Sequence, residues 1–228
     1  MKFSACTDMI NWGKDFFEGV ELIRNGDIEA VEFWNWANKD IDKIKKYVDE
    51  KKIVVPGFCL SSSDEEIAAL CLENLMSAGM EKEFMHALEE SVETAKKLGA
   101  KFLIATVGDF VKGLTYEEQI QNIKRLVLKG MKILKDNNII LMLEPICRNE
   151  RPGYLIPEAE EMLNIIKELD SENVKLLYDI FHQYNTGDYS LDFISENIDY
   201  IGHIHISDVS DRSEPKERDV QLKKLLIL

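Results

Sequence analysis

Short β-rich runs alternate with longer amphipathic segments along this chain, and that alternation restricts the folds open to it. The runs are KFSAC (2–6), IEAVEFW (28–34), IVVPGFCL (53–60), AKFLIATVG (100–108), NIILMLEP (138–145), VKLLYDI (174–180) and YIGHIHIS (200–207). Between them the periodicity predicts helices. DFFEGVELIRNG is closed by Gly26, a second helix runs from Asp40 to about Lys51, and a long one over 81–98 ends at Gly99. Thr115 and Glu118 have capping-box spacing and start a helix reaching about Lys135. Pro157 opens the next in its favoured first turn, LDFISEN (191–197) is a short one, and VQLKKLLIL (220–228) starts another.

Repeated strand–helix units call for a parallel sheet with helices outside it. No linker, low-complexity tract or composition break divides them, so one domain over 1–228 is expected. A doubly wound open sheet and a (β/α)8 TIM barrel compete. The open sheet usually carries a Gly-rich phosphate turn after its first strand, whereas SACTDMIN follows here. The barrel predicts polar residues at the C-terminal ends of its strands.

Charge narrows the function. The formal net charge of −14 over 228 residues repels phosphate backbones and anionic membrane surfaces, which argues against nucleic-acid and membrane partners and for a small-molecule substrate. No apolar run approaches the ~20 residues that span a bilayer. Asp8 and Asp15 come too early for a signal peptide. Cys6, Cys59, Cys71 and Cys147 are scattered without CxxC spacing, which reads as reduced thiols in a cytoplasmic protein.

The strand ends agree with the barrel. Side chains alternate between faces, so Met142 and Glu144 share one face and Glu144 stands at the exit. Asp179 ends VKLLYDI, and His205 lies nearer the exit than its face-mate His203. An inward Glu, Asp and His at one mouth would converge on the barrel axis and suit a divalent cation such as Mn2+, Mg2+, Co2+ or Zn2+. Blander readings stand beside this one. A strand-end acid also serves as a helix cap, and a strand histidine as a satisfied core residue, which is the reading for His203. Glu32 and Trp34 read as barrel packing. The cysteines read as core, with no base paired to them, and EKEFMHALEESVETAKK reads as a solvated helix face.

LEPICRNERPGYL, YDIFHQ and GHIHISDVSDRSEP resemble the three signature segments of the hydroxypyruvate isomerase family, and VEFWNWANKD fits it too. That family belongs to the xylose isomerase-like TIM barrels, alongside ketose 3-epimerases. The resemblance runs from the first strand to about residue 217. It implies that Glu144, Asp179 and His205 are three of four metal ligands, although hydroxypyruvate isomerases can have glutamine where His205 stands. It implies that His182 and Glu150 bind substrate and that Arg212 holds the far end of the substrate. For a keto acid that end is a carboxylate, which suits a guanidinium fork. The implied reaction converts hydroxypyruvate to 2-hydroxy-3-oxopropanoate by enediolate proton transfer, with Glu144 as one of two proton-moving glutamates. Such relatives often pair, which admits a homodimer.

The family's second glutamate and fourth ligand lies on an eighth strand, and the sequence stops in what reads as the seventh helix. The expectation is therefore a barrel lacking its eighth strand and final helix, through truncation, as a fragment, or completed by a partner chain. Glu217 is the nearest acid and a poor stand-in. Two alternatives accompany the keto-acid isomerase: a ketose 3-epimerase acting on free sugars, and a catalytically impaired barrel fragment. A nuclease of the endonuclease IV type shares the barrel but needs further histidines where GFCLSS and ATVGDF have none.

Overall fold

The computed structural model of the protein describes residues 2–11, 13–215 and 222–225. Its strands are β1 (Ser4–Cys6), β2 (Ala30–Glu32), β3 (Gly57–Cys59), β4 (Phe102–Thr106), β5 (Ile140–Glu144), β6 (Val174–Asp179) and β7 (Ile201–His205). β1 pairs with β2, and β3 to β7 form one sheet in chain order, all parallel. The two sheets are stitched together beside β2. Ala30 bridges Val54, Val31 N–H donates to the Val54 carbonyl at 2.9 Å, and Cys59 N–H donates to the Phe33 carbonyl at 3.2 Å. The resulting order follows the chain without reversal. A doubly wound sheet requires a reversal and a barrel does not, so the barrel topology holds over these strands.

The strands are shorter than their apolar runs. In IVVPGFCL, Pro56 has no N–H to give the ladder, and β3 starts only at Gly57. A Cβ on Gly57 would lie 2.1 Å from the Phe102 ring, so only glycine fits there.

The period of two sorts the core. Leu103, Ala105, Leu141, Leu143, Leu176 and Tyr178 belong to the large cluster that packs the sheet against its helices. The alternate residues Phe102, Ile104, Met142 and Leu177 form a separate cluster inside the barrel. Each fully buried apolar side chain of this size stabilises the fold by about 1.5–3 kcal/mol. The next positions on that inner face are Thr106, Glu144 and Asp179, with His205 opposite Asp179 in register. The barrel interior is thus apolar below and polar at the exit.

The helices are α1 (Thr7–Ile10), α2 (Phe16–Asn25), α3 (Ile41–Asp49), α4 (Glu65–Leu72), α5 (Glu81–Leu98), α6 (Tyr116–Asn137), α7 (Ala159–Leu169), α8 (Ile180–Thr186), α9 (Leu191–Glu196) and α10 (Leu222–Leu225). The Thr115–Glu118 capping box is formed, and Gly99 closes α5 in the left-handed region at φ 78°. Helices α1, α4 and α8 were not expected from the periodicity. Pro157 does not open α7. Glu158 is its N-cap, and the Gln183 side chain receives the Ala159 N–H at 2.8 Å and donates to the Pro157 carbonyl at 3.2 Å. Beside the solvated face of α5 runs a buried stripe of Phe84, Ala87, Leu88, Val92 and Ala95. Among the described residues no helix is long and apolar enough to cross a membrane. Glu217, and the expected final helix apart from α10, lie outside the described residues.

Candidate active site

The carboxyl ends of β5, β6 and β7 bring Glu144, Asp179 and His205 together. Nδ1 of His205 stands 3.6 Å from Glu144 Oε1 and 3.9 Å from Asp179 Oδ2. The two acids are buried, and the histidine is partly accessible. The two oxygens of Asp179 are divided between a helix cap and the site. Its Oδ1 caps α8, accepting from the N–H groups of Phe181 at 2.8 Å and His182 at 3.4 Å. Its Oδ2 faces the site, 3.2 Å from Arg212 Nη2 and 3.7 Å from His182 Nε2.

His182 lies in the first turn of α8 rather than on a loop, which directs its buried ring back toward Glu144 and Asp179. Its Nδ1 accepts from the Cys147 N–H at 3.4 Å and touches Cys147 Sγ at 3.3 Å. Cys147 therefore does meet a base, against the sequence reading of the cysteines. Burial pushes the thiol up, so it remains protonated. Burial also pushes His182 down to about 4, against the pull of Asp179 and with help from Arg212 and His205. A neutral ring whose Nδ1 accepts carries its proton on Nε2, the nitrogen facing the site.

Arg212 reaches Asp179 as well. Its guanidinium lies 4.6 Å from the centre of the Phe181 ring, with Nη1 3.9 Å from Glu150. Its backbone sits at φ 57°, a conformation costing a non-glycine residue about 1–2 kcal/mol. The turn holding it is closed by Arg212 N–H donating to the Asp208 carbonyl at 3.1 Å and Asp208 N–H to the Ser213 carbonyl at 2.8 Å. Its Nε–H is buried with no hydrogen-bond partner among the described residues. Glu150 rides on the loop after β5. Arg151 anchors that loop to Asp109 and to the carbonyls of Leu72 and Glu73, at 2.6 Å each.

Glu32, set aside in the sequence as packing, is the site residue that the sequence reading missed. It ends β2 on the inner face, is buried, and meets both inward histidines of β7: His203 Nε2 at 3.0 Å and His205 Nε2 at 3.3 Å. Burial would raise its pKa, but these two contacts hold it well below the usual carboxylate range. Burial disfavours a charge on His205, yet the carboxylates of Glu144 and Glu32 hold its pKa well above the ordinary value. His203 is satisfied as expected, though by a site acid. The signal for Glu32 was its place as a strand-end acid in VEFW, the same pattern that marks Glu144.

Among the described residues, two donor sets of acids and imidazoles come within 4.8 Å: Glu144 with Asp179 and His182, and Glu32 with His203 and His205. The first, with Nδ1 of His205 beside it, fits a divalent cation: its oxygen and nitrogen donors converge from separate elements in a buried cleft.

An in-order parallel barrel whose acids and imidazoles gather at the carboxyl ends of its strands defines an α/β-barrel enzyme with its active site at that mouth. The family described as xylose isomerase-like TIM barrel matches residues 11–225, and the chain belongs to it. The chain is 24% identical to the hydroxypyruvate isomerase of Escherichia coli K12, over 94% of its own length and 83% of the relative. It is 25% identical to the 2-oxo-tetronate isomerase of Haemophilus influenzae, over 96% and 84%. It is an enzyme of the isomerase class. Among solved structures, an AP endonuclease, family 2, from Brucella melitensis superposes with a TM-score of 0.85. That likeness covers 99% of this chain and 88% of the other at 21% identity, and it shows the fold alone.

Proposed function

We propose that the chain is a metal-dependent aldose–ketose isomerase acting on a small hydroxy-keto acid, converting hydroxypyruvate to 2-hydroxy-3-oxopropanoate. The observation that carries this reading is the approach of His205 Nδ1 to both Glu144 and Asp179, with Arg212 alongside. Glu144, Asp179 and His205 would hold the cation, with Mn2+, Mg2+, Co2+ and Zn2+ as candidates. When bound, it supplies Lewis acidity to adjacent carbonyl and hydroxyl oxygens.

The remaining work falls to side chains. Glu144 takes the proton from the hydroxymethyl carbon and returns it to the former carbonyl carbon. The hydroxyl proton passes between the two oxygens, so no atom is gained or lost. Neutral His182 donates its Nε2–H to a substrate oxygen. Arg212, whose guanidinium stands beside Asp179, holds the substrate carboxylate, and Glu150 lines the same end. The names of the two bacterial relatives are those of keto-acid isomerases, which supports this choice over a free sugar.

The test is to assay the purified chain, loaded with each cation in turn, on hydroxypyruvate and on D-fructose. Turnover of the keto acid with a clear preference over fructose is expected. A preference for fructose would favour the ketose epimerase instead. Turnover of neither with any cation would remove the reading.

A further inference from the structure

We propose that Glu32 is a positioning residue: its carboxylate anchors Nε2 of His205 so that Nδ1 of the same ring faces Glu144 and Asp179. This goes beyond the ligand set and rests on the metal reading above. The two ring nitrogens of His205 look in different directions, Nδ1 toward Glu144 and Asp179 and Nε2 toward Glu32. Turning the ring over about its Cβ–Cγ bond would replace both nitrogens by carbons and lose both contacts. The anchor on Nε2 therefore decides which atom the site receives. A ligating histidine characteristically gives its other N–H to a carboxylate, which fixes the tautomer and orientation.

Glu32 is itself held firmly enough to do this. It is buried at the end of β2, its main-chain carbonyl accepts from Thr7 Oγ1 at 3.1 Å, and Ser4 Oγ donates to Oε1. His203 Nε2 stands 3.0 Å from the same oxygen, leaving Oε2 for His205. The His203 ring in turn packs 5.0 Å from the Phe102 ring inside the barrel. Each oxygen of Glu32 thus has an imidazole of its own, the pattern of a hydrogen-bonding bridge between two rings rather than of a ligand set converging on a second ion.

The test uses Zn2+ and the whole chain. In the zinc-loaded wild type, long-range 1H–15N correlation spectra should show Nε2 of His205 protonated and Nδ1 ligated, with one ion per chain. Glu32→Gln, which removes the charge and can accept from only one ring, should weaken Zn2+ binding about 10–100-fold with an unchanged far-UV circular dichroism spectrum. Ligation through Nε2, or two ions per chain, overturns the proposal, and this readout needs no variant to fold. Zn2+ binding by a folded Glu32→Gln protein within twofold of wild type overturns the positioning role while leaving the metal reading standing. A wild type that binds no Zn2+ brings down the metal reading and this proposal together.

Discussion

His205 lies opposite Asp179 in the register of β6 and β7, and its Nδ1 is 3.9 Å from that acid's Oδ2. Asp179 holds this place because its other oxygen is fixed as the cap of α8. One residue thereby ends a strand, starts a helix and aims an oxygen at an imidazole.

Replacing Glu144 by Gln keeps the shape of the side chain and removes its charge. We expect turnover to fall by about 10²–10⁴-fold, the range of a lost proton-transfer group. Circular dichroism and the melting temperature should stay close to wild type. An active Glu144→Gln enzyme would take this residue out of its role.

Arg212→Ala should act on substrate choice. A charge-assisted hydrogen bond contributes about 1.5–3 kcal/mol, or roughly 10–150-fold. KM for the keto acid should rise by that order, with little change for an uncharged ketose. Equal losses on both would show that the guanidinium does not read the carboxylate.

Cation binding should strengthen as pH rises. In the metal-free protein the carboxylates of Glu144 and Glu32 keep a proton on His205 well above the ordinary histidine range, despite burial. A cation taking Nδ1 must release a proton. Titration calorimetry in two buffers of different ionisation enthalpy should detect that release, and affinity that does not change with pH would contradict it.

His182 gives stability the same pH direction. Its folded pKa, about 4, lies below the ordinary 6.5, so the folded state binds the proton more weakly than the unfolded one. The contribution is full above the ordinary value and disappears as pH falls through the folded one. Between pH 7 and pH 5 the wild type should lose about 2 kcal/mol more than His182→Asn in urea unfolding. Identical losses would show that the ring is not held neutral.

Much of this site is legible in the sequence because period-two alternation places Glu144, Asp179 and His205 at the inner, exit-side ends of their strands. Glu32 obeys the same rule in VEFW. Its partner His205 is 173 residues away across the barrel, however, and no local pattern encodes that meeting. Helix α4 escaped notice because Ile67 to Leu72 are continuously apolar, which leaves no stripe to read. Helix α8 was hidden because apolar Ile180 and Phe181 follow the strand directly, with only Asp179 between them and its apolar run. The Cys147–His182 contact likewise depends on how α8 turns the ring back.

Crystals soaked in Mn2+ and measured at its anomalous edge test the shared-cation claim most directly. We predict one anomalous peak within ligand distance of Glu144, Asp179 and Nδ1 of His205. A peak bound elsewhere, or one that leaves any of these three unligated, would contradict the claim.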